Sequence, residues 1–107
     1  MRVKDLQEKA TKTTELIDSK RTGKHDSDTT IMHIYEEIGE VSRQLYNNKI
    51  GRAKLDKENL SEEISDSVIL LLHLASLHGI DMETAIREKL KKLKERFPDL
   101  DWKGIEV

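Results

Sequence analysis

The stretch "VILLLHLASL", Val68 to Leu77, is apolar nearly all the way round when wound as a helix, broken only by His73 and Ser76. A helix that is apolar on every side must be covered on every side. The rest of the chain offers three further helices, two of them strongly charged, which is too little to wrap this one completely. A chain of 107 residues also buries only about 60–65% of its unfolded surface, so as a monomer it is marginal. The fold expected is therefore all-α: a four-helix bundle, one domain over residues 1–107, that assembles through its central helix. Val68, Ile69, Leu72 and Ala75 are expected in the subunit interface of a homodimer or homotetramer.

Strand formers are sparse, Leu, Lys and Glu dominate, and the single Pro stands at position 98. The first helix is expected over about Val3 to Ser19, with Leu6, Ala10, Thr13 and Ile17 as its buried stripe. "KRTGKHDSD" breaks the pattern, and Ser27 or Asp28 is expected to cap a second helix running to about Asn47. Its apolar residues, Ile31, Ile34, Ile38, Val41 and Leu45, recur at spacings of three and four. The third helix is expected to begin near Asn59 or Ser61 and to end at His78, with Gly79 as a left-handed cap. Asp81 caps the fourth, which Pro98 stops after about Phe97.

Formal net charge is −2 with the two signs interleaved, and no basic stripe carries aromatics, so nucleic acid is not an expected partner. There is no cysteine, hence no disulfide framework and no thiolate metal site. "MRVKDLQEKA" lacks the apolar core of a signal peptide, and "VILLL" is far short of the ~20 residues that span a bilayer. A cytoplasmic protein without membrane contact is expected.

Several acids elsewhere in the chain have a base four residues on: Asp5 with Lys9, Glu8 with Lys12, Glu83 with Arg87, Glu88 with Lys92. Two clusters break that habit. In "EEIGE", Glu36 meets Glu40 and Glu37 meets Val41; in "EEISD", Glu62 meets Asp66. Like charges at these spacings repel by a few tenths of a kcal/mol, roughly, per pair. Glu37 and Glu40 lie about 60° apart on one helix, as do Glu63 and Asp66 on the next. Two antiparallel helices joined by the intervening loop would set the four carboxylates across a groove. Oxygen donors of this kind suit a hard divalent cation, Mg²⁺ or Mn²⁺, better than zinc. A solvated acidic face with first-turn acids complementing a helix dipole accounts for the same residues. The residues alone leave both readings open.

"EEIGE…EEISD" resembles the Glu-x-x-Glu and Glu-x-x-Asp signature of the MazG-like, all-α nucleotide pyrophosphohydrolases, whose bundle the expected fold would share. The adjoining stretch "SVILLLHLASLHGIDMETAIREKLKKLKERFP" is similar to their apolar helix, Gly-Ile-Asp turn and basic helix ending in an aromatic-Pro pair. The resemblance runs from about Thr29 to Pro98. It implies Mg²⁺-dependent hydrolysis of a nucleoside triphosphate to monophosphate and pyrophosphate, with Glu37, Glu40, Glu63 and Asp66 as metal ligands. Glu37 and Glu36 are the catalytic candidates, Glu36 as a base that orients water. Lys89, Lys92 and Arg96 sit where the family's basic residues fall and would grip the triphosphate.

His33 shares a face with Glu37 and Glu40, and His73 lies seven residues past Asp66 on the same side of its helix; both are candidates to contact substrate or a carboxylate behind the metal ligands. Three features depart from relatives: Leu93 where many carry Asn, a first helix without aromatics to stack a base, and Ile69-Leu70 where one branch has Tyr-His. The alternative from another class is a non-catalytic helical oligomer, or a diverged member acting as a binding protein.

Overall fold

The computed structural model, which describes residues 2–106, contains four α-helices and, among those residues, no strand. They are α1 (Val3–Asp18), α2 (Ser27–Lys49), α3 (Lys57–Leu77) and α4 (Met82–Arg96). The all-α expectation holds, and α1 and α4 end within a residue of where capping chemistry places them.

Two starts differ. The cap of α2 is Asp26, not Ser27 or Asp28: its carboxylate accepts from Thr29 N at 2.9 Å, and Thr29 Oγ1 accepts from Asp26 N at 2.9 Å. This reciprocal pair satisfies two donors that a helix start otherwise leaves open. α3 begins at Lys57, ahead of Asn59 and Ser61, because Asp56 accepts from Asn59 N at 3.1 Å. Asp81 does cap α4, accepting from Glu83 N at 3.0 Å. Gly79, at φ +65°, supplies the left-handed residue between α3 and α4.

α3 is central: α2 packs along one side of it and α1 along another, while α4 turns 99° away from α3 and meets α1. The fully buried apolar set is small, namely Ala10, Ile34, Leu70, Leu72 and Ala75. α1 does not bury the stripe expected of it. Leu6, Thr13 and Ile17 are exposed, and the covered residues are Gln7, Ala10, Thr14 and Asp18. Polar side chains win that face because α3, the turn into α4 and the α1–α2 loop offer them partners. Gln7 Nε2 donates to Ile80 O at 2.7 Å and Ser76 Oγ at 3.1 Å, while Gln7 Oε1 accepts from Met82 N at 2.9 Å. α2 is likewise rotated, burying Thr30 and Ile34 and leaving Ile31, Ile38 and Leu45 exposed.

Gln7 thus stitches α1 to the turn where α4 starts. Gln7→Leu keeps the bulk but strands the Ile80 carbonyl and the Met82 amide, so a loss of about 1–3 kcal/mol in chemical denaturation is expected.

The chain is open for its size. Its radius of gyration is 17.0 Å, against about 13 Å for a compact domain of this length. Its accessible surface is 8500 Å², where a folded monomer of this mass exposes about 6,100 Å². Leu72 and Ala75, expected in a subunit interface, are covered within the chain itself; Val68 and Ile69 stand exposed, with Ile64 and Leu71. No single described helix is long and apolar enough to cross a membrane.

Candidate active site

α2 and α3 pack side by side, which sets the two acidic clusters against each other. Glu37 of α2 and Glu63 and Asp66 of α3 each bring a carboxylate oxygen within 4.8 Å of the others. Three anions so close cannot all stay charged without cost. The Glu63 carboxyl is pushed up to about 7, first by the hydrogen bond it shares with Glu37, then by burial, then by the charges of Glu37, Asp66 and Glu40. Asp66 is also raised, by burial first and then by Glu37 and Glu62. The cluster therefore holds a proton where a cation would relieve it.

Glu40 lies beside this triad rather than in it: its Oε1 accepts from Arg43 at 3.1 Å, although its charge still reaches Glu63. Glu36 is exposed on α2 and lines a surface depression with Glu37, Glu40 and Arg43. Lys89, Lys92 and Arg96 are exposed on α4 and make no ion pair among the described residues. α4 packs on α1, and none of the three borders the cavity next to the acids. Within one chain the two charge sets stay apart.

That cavity has a volume of about 350 Å³ and is walled by Thr13, Ile17, Ile69 and Leu70, with Glu37 and Asp66 among its polar lining. Its size falls in the range of small-molecule sites, about 300–1,000 Å³. Arg21 and His25 line it too.

His33 is placed beside the acids, its Nε2 3.2 Å from Glu37 Oε1. Its Nδ1 is 2.8 Å from His25 Nε2, and His25 Nδ1 is 2.9 Å from Asp18 Oδ1. Burial raises Asp18, but the backbone and ring hydrogen bonds from His25 outweigh it and hold the carboxyl below its ordinary value. An ionised Asp18 only accepts, so His25 Nδ1 donates to it, while His25 Nε2 and His33 Nδ1 share one proton between them. His73 is buried and donates from Nε2 to the His25 carbonyl at 3.3 Å, away from the acids.

Sequence reading passes over Asp18, Arg21 and His25, because "SKRTGKHD" registers only as a helix break. The available signal was an acid and a histidine flanking a short connection, with His25 eight residues before His33.

No curated protein and no solved structure matches the chain significantly. Residues 25–100 match the model of the MazG nucleotide pyrophosphohydrolase domain, a span that holds both acidic clusters and most of the chain, and the chain belongs to that family.

Proposed function

We propose that the chain hydrolyses a nucleoside triphosphate, ribo or deoxy, between its α- and β-phosphates, giving monophosphate and pyrophosphate in a Mg²⁺-dependent reaction. The observation that carries this is the carboxylate triad built by two helices, in a chain of this family. An oxygen-only donor set fits Mg²⁺, or Mn²⁺, and the raised Glu63 marks negative charge that the protein alone leaves uncompensated.

When bound, the cation would neutralise phosphate oxygens and lower the pKa of a water. Glu37, Glu63 and Asp66 would hold it, and Glu40, whose charge reaches Glu63, would join them by releasing Arg43. Glu36 would accept a proton from water at the outer edge of the site. The neighbouring cavity, with Ile17 and Ile69 on its walls, would take the nucleoside by apolar contact rather than aromatic stacking. Arg21, the cation on that lining, joins Lys89, Lys92 and Arg96 as a phosphate contact.

Because α4 is remote from the triad, those three would act through a homodimer or homotetramer. The surface in excess of a compact monomer, about 2,400 Å², is of the size an obligate dimer covers. Light scattering at micromolar concentration is expected to show at least a dimer, and Val68→Glu to shift it toward monomer; a wild type that stays monomeric contradicts the assembly.

A pyrophosphate-release screen over the common NTPs and dNTPs, with and without Mg²⁺, tests the activity. Metal-dependent release from one or a few nucleotides is expected. Silence across the panel would favour the non-catalytic oligomer, to which the exposed apolar residues of α2 and α3 also point.

A further inference from the structure

Glu37 is tethered from behind. Once the hydrogen bond it shares with Glu63 gives way to a cation, the like charges of Glu63 and Asp66 would swing it toward solvent. Opposing that swing is an unbroken chain of contacts crossing three elements. His33 Nε2 meets Glu37 Oε1 at 3.2 Å, His25 Nε2 meets His33 Nδ1 at 2.8 Å, and Asp18 Oδ1 accepts from His25 Nδ1 at 2.9 Å. Two lone pairs would repel across the first of these contacts, so a proton lies between His33 and Glu37.

The far end is anchored. Asp18 is almost fully buried at the end of α1 and also accepts from the backbone N–H of His25 at 2.7 Å. His73, buried in α3, takes the His25 carbonyl. His25 is thereby fixed by its amide, its carbonyl and both ring nitrogens, more than a loop histidine needs for folding alone.

We propose that Asp18, His25 and His33 are positioning residues that hold the Glu37 carboxylate at the divalent-cation site, an inference resting on the metal-binding role proposed for the acids. With one oxygen engaged by His33, Glu37 has the other for the cation. Groups that orient metal-binding side chains from behind typically govern affinity by 10- to 100-fold, roughly.

The test is Mn²⁺ binding by calorimetry, without nucleotide. His33 is partly exposed, so its variants are expected to fold. His33→Ala and His25→Ala should each weaken Mn²⁺ binding about tenfold or more. His33→Gln, whose amide can still donate to Glu37, should retain most of the affinity. His78→Ala is the control, because it breaks a contact as short, 2.8 Å to Ser27 Oγ, that leads nowhere near Glu37. It should leave Mn²⁺ binding unchanged. Wild-type affinity in His33→Ala and His25→Ala would overturn the proposal, as would an equal loss in His78→Ala, which would signify general loosening. A wild type that takes up no Mn²⁺ would overturn the metal reading itself, a result distinct from either.

Discussion

Asp66→Asn is expected to abolish pyrophosphate release while leaving the fold intact. Asp66 is exposed and Asn matches its size, so little packing is lost; what goes is one of three converging charges. Removing one group from a preorganised electrostatic site costs on the order of 10²–10³-fold in turnover, and a cation site short of a ligand should lose at least that. The binding consequence is more telling. A carboxylate repels a triphosphate, so the acids reach substrate only through the cation. Asp66→Asn should therefore weaken nucleotide binding chiefly when Mg²⁺ is present. Lys92→Ala should weaken it while leaving the protein's own metal affinity nearly unchanged, since lysine attracts phosphate directly. Metal and nucleotide titrations of the two variants separate these patterns. Wild-type turnover by purified Asp66→Asn would remove the acidic groove from consideration as the active site.

The second large effect is on pH dependence. Glu63 titrates near 7 in the folded chain, against an ordinary 4.5. Between those values the folded state carries a proton that the unfolded state has released, so stability falls as pH rises. The contribution is fully present below pH 4.5 and is lost through pH 7. In EDTA the melting temperature is expected to fall from pH 5 to pH 8, and Glu63→Gln should flatten the part of that slope which Glu63 supplies. Mg²⁺ should act in the opposite sense, since a cation must displace the proton to bind. Its stabilisation, which depends on mass action, should grow over the same interval. Thermal melts on a grid of pH and Mg²⁺ read both effects. Equal Mg²⁺-induced shifts at pH 5 and pH 8 would mean that Glu63 is not in the metal site.

The helices were legible because their punctuation is local: Asp81, Gly79 and Pro98 act on their own neighbours. Glu37, Glu63 and Asp66 stood out because two neighbouring helices each gather acids at spacings of three and four with no base four residues on. The buried faces of α1 and α2 were not legible. Leu6 and Ile17 mark an apolar stripe that this single chain leaves open, while Gln7 and Asp18 are buried because of partners 65 to 75 residues away and in the next loop. Hydrophobic periodicity carries no trace of such partners. The position of α4 was hidden for the same reason. The spacing of its lysines describes its own surface but not the 99° turn that takes that surface away from the acids.

The seam between α1 and α3 has a consequence for how the molecule comes apart. Beside the buried Ala10, Leu72 and Ala75 it is closed by directional bonds, Gln7 and Thr11 to Ser76, and Gln7 to Ile80 in the turn beyond α3. An oily seam tolerates sliding; this one has a single register, because one turn of slip leaves Gln7 buried without partners. Of the fully buried apolar residues α1 supplies only Ala10, so its release should carry a small heat-capacity change and a weak dependence on urea. Amide exchange should accordingly divide the chain into two units. α1 would exchange by a local opening nearly indifferent to denaturant, and the α2–α3 pair only through an opening that steepens with it. Since Asp18 rides on α1, each such opening would also let go of His25.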